Sequence, residues 1–72
     1  MTGAATASFT EAIRLRPDFE AAHNNLGLAL MQVGRFSEAE DQFREALRLS
    51  PDRALTYINL GNVLRFLGRL DA

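Results

Sequence analysis

The chain lacks several residue types that small proteins use as cross-links or as reactive groups. Its 72 residues contain no cysteine and one histidine, His23. Disulfide bonds are therefore excluded, and a zinc site has too few of its usual ligands. A cysteine nucleophile, a histidine pair and a glycine-rich phosphate loop are missing too, so we predict no enzyme activity, metal or cofactor. Because a core this small supplies only about 3 to 5 kcal/mol, we expect stacking against further similar units.

Lysine is also absent, and eight arginines face nine carboxylates, which gives a formal net charge of -1. Without excess positive charge, we predict no nucleic-acid partner and no membrane partner. The longest apolar stretch, Leu26 to Met31, has six residues, whereas a membrane-spanning helix needs about 20. Residues 1–10 lack the basic start and apolar segment of a signal peptide, so we expect a cytoplasmic location.

Helix-breaking residues are few, and alanine and leucine dominate, which favours an all-α fold. The apolar spacing predicts helices near residues 4–16, 19–33, 37–49 and 53–67. Gly34 can take the left-handed conformation that ends a helix. Ser37 and Glu40 have capping-box spacing for the next helix, and Asp18 and Asp52, each after a proline, can cap the helices that follow them.

Two apolar stripes within these helices predict the core. The first stripe comprises Phe19, Ala22, Leu26, Ala29, Leu30 and Val33, and the second comprises Phe36, Ala39, Phe43, Ala46 and Leu47. Small residues, notably Gly27, Gly61, Ala39 and Ala46, are expected where neighbouring helices approach closely, and large ones such as Phe43 are expected to fill the space between them.

The decisive feature is an internal repeat with a period of 34 residues. When the chain is laid over itself at this shift, 14 of the 38 overlapped positions are identical, whereas about three matches are expected from ordinary residue usage. The pairs are Ala5 and Ala39, Phe9 and Phe43, Glu11 and Glu45, Ala12 and Ala46, Arg14 and Arg48, Leu15 and Leu49, Pro17 and Pro51, Asp18 and Asp52, Asn25 and Asn59, Leu26 and Leu60, Gly27 and Gly61, Leu30 and Leu64, Gly34 and Gly68, and Arg35 and Arg69. A period of this length indicates paired helices that stack on one another.

Residues 20–53 resemble one complete tetratricopeptide repeat. The matching positions are His23, Leu26, Gly27 and Leu30 in the first helix and Ala39, Phe43, Ala46 and Pro51 in the second. Residues 1–19 resemble the second helix of a preceding repeat, and residues 54–72 resemble the first helix of a following one. The resemblance implies antiparallel helical hairpins of a right-handed solenoid, about four helices in one domain over residues 1–72. His23 takes the position of a tryptophan in the family, which favours a structural role over a catalytic one.

The phase of the repeat leaves both terminal helices without a neighbour, which would expose the first helix at one end and Leu60, Leu64 and Leu67 at the other. We therefore predict a homo-oligomer formed through the terminal helices. A head-to-tail contact and a two-fold contact both remain open. The alternative is that the chain is a fragment of a longer array.

In this family ligands bind the concave surface, which the first helices line. The corresponding candidates for peptide or protein binding are Asn24, Asn25, Leu28, Met31, Gln32, Leu55, Ile58, Asn59, Asn62, Arg65 and Phe66. Asn25 and Asn59 resemble the asparagine ladder of some family members, in which each amide can bind a peptide backbone. The alternative is that they bridge neighbouring helices or face water. The apolar members favour a hydrophobic or helical partner segment.

The resemblance thus implies a scaffold that binds a partner peptide or protein segment in a concave groove. Two alternatives stay open. The chain is a structural self-assembly module whose ends pair between copies, or it is the targeting arm of a larger enzyme.

Overall fold

A computed structural model describes residues 2–68 and contains four helices within that range. The helices are α1 (Thr2–Leu15), α2 (Glu20–Gln32), α3 (Phe36–Leu49) and α4 (Ala54–Phe66). All four lie within two residues of their predicted ends, and the all-α fold of helical hairpins is confirmed. Met1 and residues 69–72, which include the repeat match at Arg69, lie outside the described residues.

The turn between α2 and α3 follows from Gly34. Its φ of +82° lies in the left-handed region, as predicted, where a side chain would be strained. The Gly34 N–H donates to the Met31 carbonyl at 3.0 Å, and the Arg35 N–H donates to the Leu30 carbonyl at 2.9 Å. This pair of bonds is a Schellman motif, which satisfies the last carbonyls of α2 and turns the chain directly into α3.

The predicted side-chain caps are wrong. Helix α3 begins at Phe36 with Arg35 as its N-cap, so Ser37 already lies in the first turn and forms no capping box. Phe19 and Arg53, rather than Asp18 and Asp52, are the N-caps of α2 and α4. None of the three N-cap residues makes a side-chain capping hydrogen bond.

Each helix packs against the next one along the chain, and α2 also meets α4. The result is a flat unit with extents of 39 × 28 × 15 Å. Helices α1 and α3 flank a cleft that Leu26 and Leu30 of α2 also line. The described helices therefore form two layers, with α2 and α4 in one layer and α1 and α3 in the other.

One cluster of buried side chains joins α2, α3 and α4. Its members are Leu26, Leu30, Ala39, Phe43, Leu60 and Val63. The Phe43 ring lies directly over Gly27, where a Cβ atom would come within 2.6 to 2.9 Å of three ring carbons. The close approach predicted at Gly27 is therefore confirmed, and a bare backbone there is what lets the ring in. The close approach predicted at Gly61 is wrong for the described residues, because a Cβ atom there would have no atom within 4 Å.

Three residues predicted from the apolar pattern occupy different environments. Phe19 and Val33 were assigned to the core but are exposed, because they are the residues flanking α2 and fall outside its buried stripe. Leu60 was predicted to be bare but is buried, because it packs into the shared cluster.

No helix within residues 2–68 is long and apolar enough to span a bilayer.

Candidate functional site

The solvent side of α4 carries a line of predicted binding residues, which we name the α4 row. It consists of Leu55, Ile58, Asn62, Arg65 and Phe66. Steps of one, three and four residues along the helix keep these side chains on one side of it. Leu55, Ile58 and Phe66 are 56%, 59% and 67% exposed. Three open apolar side chains on one helix face provide area that a partner can cover.

The C-terminal half of this row forms a small cleft of about 240 Å³, lined by Asn62, Arg65 and Phe66. The Phe66 ring stacks on Phe36 of α3 with centroids 4.9 Å apart and an angle of 8° between the ring planes. Stacking orients the ring before any ligand arrives. The cleft thus combines an apolar wall, an amide that donates and accepts, and a guanidinium.

A second cleft of about 270 Å³ lies between α1 and α2, and we name it the α2 cleft. Its lining is Ala5, Phe9, Asn25, Leu28, Ala29 and Gln32. The structure therefore brings three predicted residues, Asn25, Leu28 and Gln32, to one place. Ala5 and Phe9 were not predicted, because they lie on a second helix and the family resemblance places binding residues on first helices. Their repeat matches with Ala39 and Phe43 could have placed them against a first helix.

Asn24 and Asn59 form a buried polar seam between α2 and α4. The Asn59 side-chain N–H donates to Asn24 Oδ1 at 3.2 Å, and the Thr56 hydroxyl donates to the same oxygen at 3.3 Å. Both asparagines are buried. Each amide is therefore engaged inside the fold, which corrects the assignment of Asn24 and Asn59 to a ligand-facing surface.

The asparagines at equivalent repeat positions differ because their neighbours differ. Asn59 has α2 beside it and is buried, whereas Asn25 is half-buried in the α2 cleft. The two do not form a ladder of equivalent rungs. At the N-terminal ends of the same two helices, Glu20 Oε1 lies 2.8 Å from Arg53 Nη2, which adds an ion pair to the seam.

Met31 and Leu28 are partly buried and pack against the core. Their side chains therefore support the fold as well as any surface contact. Of the predicted residues, only Gln32 and the members of the α4 row other than Asn62 are exposed. The most open part of the candidate surface is thus on α4.

His23 has a structural role. Its Nε2 lies 2.8 Å from the Pro17 carbonyl oxygen, and its Nδ1 lies 2.8 Å from the Gln42 side-chain amide oxygen. The ring is buried and ties the loop before α2 to α3. The predicted structural role of His23 is confirmed.

Ion pairs along α1 and α3 keep their carboxylates charged. The Arg14 side chain lies 2.6 Å from Glu11 and lowers the pKa of that carboxyl by hydrogen bonding. Arg35 lowers the pKa of Glu38 in the same way, also at 2.6 Å. Arg48 does the same for Glu45. Among the described residues, no carboxylate forms an ion pair with Arg65.

A third cleft, of about 250 Å³, separates α1 from α3 and was not anticipated. It is lined by Thr6, Thr10, Leu26, Leu30, Arg35, Glu38, Asp41 and Gln42. The repeat pattern gives no signal for it, because its lining comes from three helices.

Within residues 2–68, no group of three or more histidine, cysteine or carboxylate side chains is arranged to hold a metal.

Comparison with known proteins gives one family match. Residues 20–53 match the family model described as tetratricopeptide repeat. The matched segment contains α2, the Gly34 turn, α3 and the connection to α4. No curated protein matches the chain.

Proposed function

We propose that this chain, which belongs to the tetratricopeptide repeat family through residues 20–53, is a scaffold that holds an apolar segment of a partner protein on α4. Repeats of this family generally mediate protein–protein interactions and are generally non-catalytic. The location of the binding surface and the nature of the partner are our inferences from the side chains. The single observation that carries them is the exposure of the α4 row.

The α4 row combines features of a binding surface for one apolar segment. Leu55, Ile58 and Phe66 expose large side chains on the same side of one helix. Covering them removes apolar area from water, which stabilises a complex by about 25 cal/mol per Å² before the costs of association. The stacked Phe66 ring supplies a rigid anchor of the kind that carries much of the energy at interfaces.

The charges of the row indicate which partner chemistry fits. Arg65 is its one ionisable member, so an acidic side chain beside the partner's apolar anchors would find a counter-charge. Asn62 lies next to Arg65 in the cleft and can bind a backbone amide. A terminal carboxylate, which family members hold with several lysines and arginines, fits less well here. We infer a partner segment with apolar anchors and at least one carboxylate.

A random peptide library provides a test that does not require the natural partner. We expect selection on the chain to enrich peptides with two or more large apolar residues and an acidic residue. The double variant Leu55→Gln, Phe66→Ala should bind the enriched peptides about tenfold or more weakly, because it removes two exposed anchors. Titration calorimetry or fluorescence anisotropy gives the affinities.

The matched control is Leu15→Ala on α1, whose side chain is as open as Phe66 but lies on another helix. This variant should bind the peptides like the unchanged chain. Arg65→Glu should select against the acidic residue. The proposal fails if no peptide is enriched, or if the double variant binds the enriched peptides as well as the control.

The cytoplasmic setting is a further proposal, which cell fractionation tests.

A further inference from the structure

Helix α4 has a second open side, which is distinct from the α4 row and which we name the α4 socket. It consists of Tyr57, Gly61 and Leu64, the repeat equivalents of His23, Gly27 and Leu30. In α2 those three residues are covered by α3. In α4, Tyr57 is 54% exposed where His23 is 6% exposed. Gly61 and Leu64 are half-buried where Gly27 and Leu30 are buried.

The contrast is sharpest at the two glycines. A Cβ atom on Gly27 would collide with the Phe43 ring, whereas a Cβ atom on Gly61 would have no atom within 4 Å. The backbone at Gly61 therefore offers the same bare surface, without the aromatic ring that fills it in the complete repeat. The α4 socket therefore resembles the surface that α2 presents to α3.

Helix α1 carries the complementary half, which we name the α1 knob. It consists of Ala5, Phe9 and Ala12, the repeat equivalents of Ala39, Phe43 and Ala46. The three α3 residues are fully buried, because α2 and α4 cover them from both sides. The α1 residues are only half-buried, and two of them, Ala5 and Phe9, line the open α2 cleft.

We propose that the occupant of the α4 socket is α1 of a second copy of this chain, with Phe9 seated on Gly61 as Phe43 is seated on Gly27. The proposal does not depend on peptide binding by the α4 row. Its basis is that the α2 and α3 interface exists in this structure, and that the residues at the equivalent repeat positions on α4 and α1 are more exposed than their counterparts in that interface.

The register of the repeat extends this match beyond the ring. His23 lies within hydrogen-bond distance of Gln42 in the complete repeat, and the equivalent positions are Tyr57 and Ser8. Both carry hydroxyl groups, so docking brings together a donor and an acceptor at the same point. The contact of Phe9 with Gly61 and the contact of Ser8 with Tyr57 thus require the same alignment of α1 and α4.

The two halves are different surfaces, so the contact is heterologous. A two-fold contact between two α4 helices would set the bare Gly61 of one copy against the Gly61 of the other and would leave Phe9 unused. Each head-to-tail contact instead leaves one socket and one knob free at the ends of the pair. Association therefore continues past the dimer instead of closing.

Sedimentation equilibrium over about a hundredfold concentration range tests this, with circular dichroism to follow helix content. The unchanged chain should show a mass average that rises beyond the dimer. Gly61→Gln fills the socket, and Ala5→Gln adds bulk to the knob without removing a core contact. Each should weaken association about tenfold or more. Phe9→Ala is a second knob variant, and Phe66→Ala on the α4 row is the matched control that should associate normally.

Mixing the two defective chains distinguishes the head-to-tail contact from other contacts. Gly61→Gln retains a working knob and Ala5→Gln retains a working socket, so an equal mixture should form dimers and nothing larger. A monomeric unchanged chain at every concentration overturns the proposal. So does an unchanged chain that stops at the dimer, or a mixture that stays monomeric. Gly61→Gln should keep its affinity for peptides selected on the α4 row, so failure here and failure of the proposed function are separate results.

Discussion

Gly27 is the residue that sets how closely α2 and α3 approach. A methyl group there would come within 2.6 Å of the Phe43 ring, and that ring is fully buried and has no room to retreat. We expect Gly27→Ala to lower the free energy of unfolding by up to about 2 kcal/mol, because overpacking costs about 1 to 3 kcal/mol and the higher helix propensity of alanine returns about 1 kcal/mol. Urea denaturation followed by circular dichroism measures the change.

Gly61→Ala is the matched control, since it makes the same change at the same repeat position. Nothing lies within 4 Å of the added methyl group. At low protein concentration, where association is minimal, we expect a gain of up to about 1 kcal/mol from helix propensity alone. Equal effects of the two substitutions would show that the Phe43 ring does not restrict position 27.

The burial of a residue depends on neighbouring helices that a repeat pattern does not reveal. The 34-residue match correctly placed Gly27 and Phe43 in one contact. It also equated Asn25 with Asn59, although one lines a cleft and the other is buried in the seam between α2 and α4. Equivalent positions share a backbone environment, but burial depends on whether another helix lies alongside.

Helix positions were more predictable than helix ends. Apolar spacing and Gly34 located all four helices, because both report on the repeating backbone. The N-cap residues were predicted wrongly, because the N-caps of the last three helices lie one or two residues from the expected ones. At α3 the Schellman turn commits Arg35 to the N-cap, and Ser37 comes too late to serve.

Ion pairs within α1 and α3 predict how these helices respond to acid. Hydrogen bonds from arginine lower the folded-state pKa of Glu11, Glu38 and Glu45 below the ordinary 4.5. A carboxyl group whose pKa is lower in the folded state stabilises the fold fully at pH values above its unfolded-state pKa. This contribution is lost as the pH falls through its folded-state pKa. We therefore expect thermal stability to be level near neutral pH and to decline below about pH 4.5, as measured by melting curves at a series of pH values.

The control for the acid response is the triple glutamine variant at positions 11, 38 and 45, which keeps the side-chain shape but cannot titrate. Its melting temperature should fall less steeply in acid than that of the unchanged chain. High salt should reduce the difference, since these pairs are exposed to solvent and are screened. Parallel acid profiles for the two proteins would assign the acid response to other carboxylates.

At the scale of the whole molecule, α4 contributes to both of the proposed interaction surfaces. Its buried side contacts α2 and α3 through Asn59, Leu60 and Val63. The α4 row and the α4 socket lie on two other sides of the helix. A ligand on one of them therefore need not exclude a ligand on the other. We therefore propose that the unit can hold a peptide on one side while it joins a second copy on the other. The fold determines this arrangement through the single buried cluster that fixes the rotation of α4.

That cluster depends on Phe43, which contacts both layers of the fold. We expect Phe43→Ala to abolish cooperative unfolding and most of the helical signal, because truncating a buried phenylalanine costs about 3 to 5 kcal/mol and a core of this size supplies about as much. Phe9→Ala removes the repeat-equivalent ring from a half-buried site and should cost clearly less. Thermal melts followed by circular dichroism compare the two variants. A Phe43→Ala chain that melts cooperatively, with a loss no larger than that of Phe9→Ala, would show that the helices are held together by contacts outside this cluster.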